Sequence, residues 1–183
     1  GQRDFGENYP QELREKAPQL PPDVRWHFIG HLQRSNVKHV LPYAHLIHGV
    51  DSERLLEELN KRAMGLSGPV DVLLQVHIAQ EETKHGFSTT EVTDLLHTTD
   101  PALRWPQLRI RGLMGMATNT DHQGVVAGEF TALGALYHAL EKEQRFAAGV
   151  PPVLSMGMSG DAALAIACGS TMVRVGTAIF GQR

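Results

Sequence analysis

The chain has 183 residues, 42% of them apolar, which is enough for one well-buried domain and too few for two. A formal net charge of −3 declares no basic face, so nucleic acid is not expected as a partner. The single cysteine, Cys168, excludes an internal disulfide, and no apolar run approaches the roughly 20 residues of a membrane span, so a cytoplasmic protein with no membrane partner is expected.

In chain order, Arg3 to Tyr9 reads as a short strand ending in polar groups, followed by a helix to about Ala17 that the Pro18–Pro22 cluster ends. Val24 to Gly30 is a second strand, rich in aromatic and β-branched residues, and His31 to Val40 a short helix before Pro42. Leu46 to Val50 is a third strand. Asp51 or Ser52 then caps a helix with Leu55, Leu56, Leu59 and Ala63 on one face, and Gly65 stops it. Val70 to Ala79 is the plainest strand. After the polar loop Gln80–Gly86, Ser88 and Glu91 have capping-box spacing for the next helix. Leu108 to Ala117 is a strand, and a helix from about Asp121 to Ala147 puts Phe130, Leu133, Leu136, Tyr137 and Leu140 on one stripe.

The stretch from Val153 to Gly181 reads as strand, glycine turn, helix, glycine stop, strand, glycine turn. Ser159 stands where an N-cap of the alanine-rich helix Ala162–Cys168 belongs, and Gly169 ends that helix. Gly176 and Thr177 form a second turn two residues after Arg174. Turns of this kind aim free N–H groups at one point and suit a phosphate. Strand and helix alternate throughout with no hairpin signal, which implies parallel strands and right-handed crossovers. An open doubly wound sheet and a (β/α)8 barrel both satisfy that rhythm. Phosphate-type turns after the last two strands favour the TIM-type α/β barrel, with seven strands counted where eight are needed.

Five segments carry a resemblance that spans the chain: Phe5-Gly-Glu-Asn-Tyr9, Trp26-His-Phe-Ile-Gly30, Gly112-Leu-Met-Gly-Met116, Leu154-Ser-Met-Gly-Met-Ser159 and Val173-Arg-Val-Gly-Thr-Ala-Ile-Phe-Gly181. Together they resemble the pyridoxal phosphate homeostasis proteins, which are similar to the N-terminal barrel domain of alanine racemases. The resemblance implies one barrel domain over residues 1–183, a monomer, that carries pyridoxal 5′-phosphate and buffers it or delivers it to apo-enzymes without turnover. It also implies the roles of five residues. Arg174 faces the pyridine nitrogen, Ser159 meets the phosphate, Gly176 and Thr177 supply donors of the second phosphate turn, and Asn8 lines the cofactor ring. Ser155 and Met156 are further candidates for the pocket wall.

The chain departs from the family in one respect. The family's Schiff-base lysine ends the first barrel strand in an Ala-Val-Ser-Lys type segment, and no such segment is present. The lysines are Lys16, Lys38, Lys61, Lys84 and Lys142, none at the end of a strand-like run. The chain also begins at Gly1 where the family's second strand begins, so a truncated barrel lacking the first strand and helix is expected, one that folds poorly alone or binds the cofactor weakly. A racemase or decarboxylase on the same barrel is the rival reading, and a lysine-less remnant that binds no cofactor covalently is a third. A racemase needs that lysine and a second acid–base residue from an added C-terminal domain, and this chain carries neither.

Other residues read more plainly. His27 and His31 are four apart, yet Gly30 lies between them and no third ligand is spaced nearby, so no metal site is expected. Met114, Met116, Met156 and Met158 are expected at strand ends facing the barrel mouth. Cys168 reads as a small helix residue with no histidine partner. Glu81-Glu82-Thr83-Lys84-His85-Gly86 resembles the family's loop after the fourth strand here, with His77 where the family usually has Asn, and is either a solvated loop or a pocket rim.

Overall fold

The computed structural model describes residues 1–81 and 83–182; Glu82, within the Gln80–Gly86 loop, and Arg183 lie outside the described residues. Seven strands follow in chain order: β1 (Asp4–Glu7), β2 (Arg25–Phe28), β3 (Ala44–Val50), β4 (Val70–Val76), β5 (Leu108–Gly115), β6 (Val153–Met158) and β7 (Met172–Arg174). The helices between and after them are α1 (Pro10–Lys16), α2 (Val37–Val40), α3 (Glu53–Ala63), α4 (Thr89–Thr98), α5 (Pro101–Arg104), α6 (Gln123–Lys142), α7 (Ala162–Ala167) and α8 (Thr177–Phe180). Every strand is parallel to the one before it, and the sheet order is β1-β2-β3-β4-β5-β6-β7. This is the order of a (β/α) barrel, a sheet that curls on itself with its helices on the outside. Among the described residues no helix is long and apolar enough to cross a membrane.

Strand parity sorts the side chains into two layers. Outward residues such as Ile47, Val72, Leu74, Ile110, Leu113, Leu154 and Met156 join Leu55, Leu56 and Leu59 of α3 and Phe130, Leu133 and Tyr137 of α6 in the main core. Inward residues form a much smaller apolar layer of Leu46, Leu73, Met114 and Val153, with Met116 and Met172 against it. The rest of the interior is polar. Asp71 on β4 is buried and takes Arg109 Nε at 2.5 Å and Arg111 Nη1 at 3.0 Å, both from β5.

Some boundaries differ from expectation, each for a local reason. β4 stops at Val76 instead of Ala79 because Phe87 returns beside it, donating from its N–H to Gln75 O and accepting from His77 N–H, both at 2.8 Å. The helix expected over His31–Val40 is a 3-10 turn at Arg34–Asn36 followed by the single turn of α2. The long helix occupies Gln123–Lys142, ended by Gln144 in the left-handed region at φ 58°. Asp100, whose side chain accepts from Ala102 N–H, and Pro101 start the extra turn α5, which was not foreseen. The Ser88–Glu91 capping box is present as expected.

Candidate functional site

The C-terminal ends of β6 and β7 bring together the residues singled out in the last third of the chain. Arg174 ends β7 with its side chain directed inward. Its Nη1 donates to Ser155 O at 3.0 Å and Ser155 Oγ at 2.7 Å, and its Nη2 to Gly115 O at 3.2 Å. Burial of the guanidinium, partly offset by Asp161, pushes its pKa down to about 10, which leaves it charged at neutral pH.

Ser155 hands this interaction on. Its hydroxyl lies 2.9 Å from His48 Nδ1, His48 Nε2 lies 3.0 Å from His27 Nδ1, and His27 Nε2 lies 3.2 Å from Asp4 Oδ1. Donor–acceptor balance assigns the protons along this run. Asp4 is held as a carboxylate: the bidentate bond from Arg25, at 2.7 and 2.6 Å, depresses its pKa. His27 therefore donates from Nε2 and accepts at Nδ1, His48 donates from Nε2, and Ser155 donates to His48 Nδ1 while accepting from Arg174. One proton sits on each bond and both imidazoles are neutral. Burial pushes the pKa of His27 down and that of His48 well down, in keeping with that assignment. At its far end the run opens on a cavity of about 270 Å³ at the barrel floor, lined by Asp4, Arg25, His27, His45, Arg111 and Met172 among others.

Beside Arg174 is the second glycine turn. The backbone N–H groups of Gly176 and Ala178, at the start of α8, converge on Ser159 Oγ at 3.1 and 3.3 Å. Ser159 is therefore not the N-cap of α7. Asp161 is, and its Oδ1 accepts from Met158 N–H, closing the turn so that the helix begins at Ala162. The serine hydroxyl is left free to turn toward the next strand's turn. There it occupies the place where an anion would meet two aligned N–H groups, and its own proton is available to that anion. Thr177 is the exposed first residue of α8.

Asn8 stands apart from this cluster. It follows β1, at the opposite end of the sheet order but on the same C-terminal edge, exposed, with its backbone N–H donating to Glu7 Oε1 at 2.9 Å. Of the wall candidates, Ser155 faces the interior, but Met156 points the other way and packs under the helices, because neighbours on a strand face opposite sides. Met114 faces inward but is buried in the small apolar layer with Leu46, Leu73 and Val153 and not at the mouth, and Met158 is exposed. Lys16 is bound to Glu7 and Glu12, and Lys84 to Ala117 O and Glu81. Lys38, Lys61 and Lys142 lie on α2, α3 and α6.

The sequence profile of the alanine racemase N-terminal domain matches residues 1–183. A pyridoxal phosphate homeostasis protein of Pasteurella multocida is 38% identical over 186 residues, covering all of this chain and 78% of the relative. The Homo sapiens protein of the same name is 37% identical over 193 residues, covering all of this chain and 69% of its own length. The chain belongs to the pyridoxal phosphate homeostasis protein family. Among solved structures, PipY of Synechococcus elongatus without pyridoxal phosphate is 33% identical with a TM-score of 0.88, over 99% of this chain and 83% of that one. PipY with pyridoxal phosphate bound is 31% identical with a TM-score of 0.83, over 99% and 82%. The alanine racemase of Bartonella henselae, at 15% identity and a TM-score of 0.71 over all of this chain and 47% of that one, shares the fold.

The structure sets Ser159 Oγ against the Gly176 N–H, two residues after Arg174, and leaves Asn8 apart. His48, one of ten histidines, belongs to no motif in the sequence, and its partner Ser155 is 107 residues away. The available signal was weak: a histidine at an inward position of the strand His-Leu-Ile-His-Gly-Val. His27, considered with His31 as a metal pair, turns inward to His48 instead.

Proposed function

We propose that residues 1–183 act as one pyridoxal phosphate-binding barrel domain that serves pyridoxal phosphate homeostasis, as a monomer that holds the cofactor for apo-enzymes without turnover of its own. The observation that carries this reading is the pairing of an inward guanidinium on β7 with the Ser159-capped turn that follows it. The residues fit the group. Two N–H groups and a hydroxyl suit a phosphate ester, and the Arg174 guanidinium, two residues before that turn, would suit the pyridine nitrogen. Asn8, at the end of β1, and Thr177 complete the assigned set.

Bound pyridoxal phosphate supplies an electron-accepting ring whose strength depends on the protonation of its pyridine nitrogen. Arg174, charged even with its pKa at about 10, gives no proton to that nitrogen and keeps the ring a weak acceptor. That argues for storage over catalysis. Contacts to phosphate and ring within residues 1–183 come without a lysine beside Arg174, so a modest affinity is expected from these contacts alone.

Calorimetric titration tests the reading. Pyridoxal phosphate should bind at least about tenfold more tightly than pyridoxal, and Ser159→Ala should narrow that gap. Equal binding of the two, or a gap untouched by Ser159→Ala, removes the phosphate turn from the argument. Amino-acid racemisation above the cofactor-free background would overturn the non-catalytic part.

A further inference from the structure

The mouth of the barrel carries a second cluster, three strands round the sheet from β7. His31 lies three residues beyond β2, Asp51 directly follows β3, and His85 sits in the loop after β4, so three consecutive strands deliver them to one place. One ligand atom of each lies within 4.8 Å of the other two. His31 Nδ1 and Asp51 Oδ2 are 3.4 Å apart, and the His31 and His85 rings face each other with centroids 4.4 Å apart and planes inclined by 21°.

We propose that His31, Asp51 and His85 form a binding site for a divalent transition-metal ion of the zinc type. The donor set is two imidazole nitrogens and one carboxylate oxygen, which suits Zn²⁺ with a fourth position left open and does not suit Ca²⁺ or Mg²⁺, which take oxygen ligands. Bonds of about 2.1 Å in a tetrahedron put ligand atoms about 3.4 Å apart, the spacing that His31 and Asp51 already have. His85 is exposed, and turning its ring out of the stack on His31 would aim a nitrogen at the same ion and close the set.

The backbone under each ligand is fixed. A Cβ on Gly30, just before His31, would collide with the Asn8 carbonyl, so only glycine lets β1 and β2 approach this closely there. Gly86, at φ 141°, lies where a Cβ would come within 2.7 Å of His77 N, and the buried Gln75 amide donates to His85 O at 2.7 Å. Asp51 Oδ1 accepts from the Ser52 hydroxyl at 3.1 Å, which orients the carboxylate with Oδ2 toward His31. This is the outer support a metal-binding carboxylate needs. The adjacent cation does not fill the site: Lys84 Nζ is engaged by Ala117 O at 2.6 Å and Glu81 at 3.1 Å. The sequence showed only His27 and His31 at metal-like spacing. The set that meets in space comes from three segments.

Titration of the metal-free, cofactor-free chain with ZnCl₂ by calorimetry should give saturable binding of one ion per chain, and CoCl₂ should give visible ligand-field bands of a low-symmetry site. His31→Ala, His85→Ala and Asp51→Asn should each weaken Zn²⁺ binding by more than about tenfold. His138→Ala, at an exposed histidine on α6, should leave it unchanged, and excess Mg²⁺ should not compete. Absence of saturable binding below millimolar Zn²⁺, or equal binding by a His31→Ala/His85→Ala double variant, overturns the proposal. Because no pyridoxal phosphate is present, either result leaves the cofactor reading to its own test.

Discussion

Replacing His48 by glutamine tests the proton assignment inside the barrel. In the folded chain His48 is neutral, accepting from Ser155 and donating to His27, with its pKa well below the ordinary value because of burial. Once unfolded it takes a proton below about pH 6.5. Between these limits the unfolded state binds the extra proton, so stability is full above about 6.5 and falls as the medium is acidified. For one histidine that stays neutral when folded, moving from about pH 7 to about pH 5.5 removes about 1.3 kcal/mol of unfolding free energy. His27, also shifted down by burial, adds up to the same amount.

Glutamine cannot titrate, so the variant should lose less than the parent over that window, by about 1.3 kcal/mol where His27 stays neutral in both, and groups far from His48 cancel in the comparison. At neutral pH it should start lower by about 1–3 kcal/mol, since the amide cannot reach both former partners and leaves a buried polar group unpaired. Urea unfolding at the two pH values, followed by tryptophan fluorescence, measures both differences. A parent and variant with the same acid sensitivity would refute the neutral assignment of His48.

Two further substitutions probe the scaffold. Asp71→Asn leaves Arg109 and Arg111 facing an amide that can accept from one and must present its NH₂ to the other; with Asp71 and most of Arg111 buried, a loss of about 3 kcal/mol is expected, and a loss below about 1 kcal/mol in urea unfolding would contradict the paired reading. Ser88→Ala removes one half of the α4 capping box and should cost about 1 kcal/mol with no effect on cofactor binding, which thermal unfolding and the pyridoxal phosphate titration together would check.

Much of the architecture is legible in the residues because parallel barrels repeat one local rule. The plainest strand, β4, is a nearly unbroken run of Val and Leu, and the longer helices carry apolar stripes at helical spacing, so Leu55–Leu56–Leu59 and Phe130–Leu133–Tyr137 announce the faces they bury. Boundaries that depend on long-range contacts were not legible. Val70–Ala79 reads as one strand to its end, and only the return of Phe87 to Gln75 and His77 cuts it at Val76. At the site, Ser159 and Arg174 stood out because glycine turns frame them. Asp161, two residues nearer the helix, takes the N-cap position without a side-chain cap bond, and its carboxylate accepts from Met158 N–H instead. The histidines were opaque for a different reason. A lone imidazole has the same appearance in sequence whether it is solvated, paired in a barrel or facing an aspartate, and its role is set by neighbours from other strands.

The interior of this barrel bears on how Arg174 is held. Barrel cores are commonly filled by layers of branched apolar side chains, but here that filling is thin: Leu46, Leu73, Met114 and Val153. Much of the space belongs to a polar run with a guanidinium at the mouth and a carboxylate near the floor. A charge as deep as that of Arg174 is tolerable only where its hydrogen bonds are met, and Ser155 O, Ser155 Oγ and Gly115 O meet them before any ligand arrives. Those bonds also hold the guanidinium in one pose, so the entropy of ordering a long side chain is lost on folding and not again on binding. The run through His48 and His27 to Asp4 orients Ser155 in turn, with neutral groups that add no competing charge to the interior. The polar interior thus fixes the direction of Arg174 at the price of apolar filling.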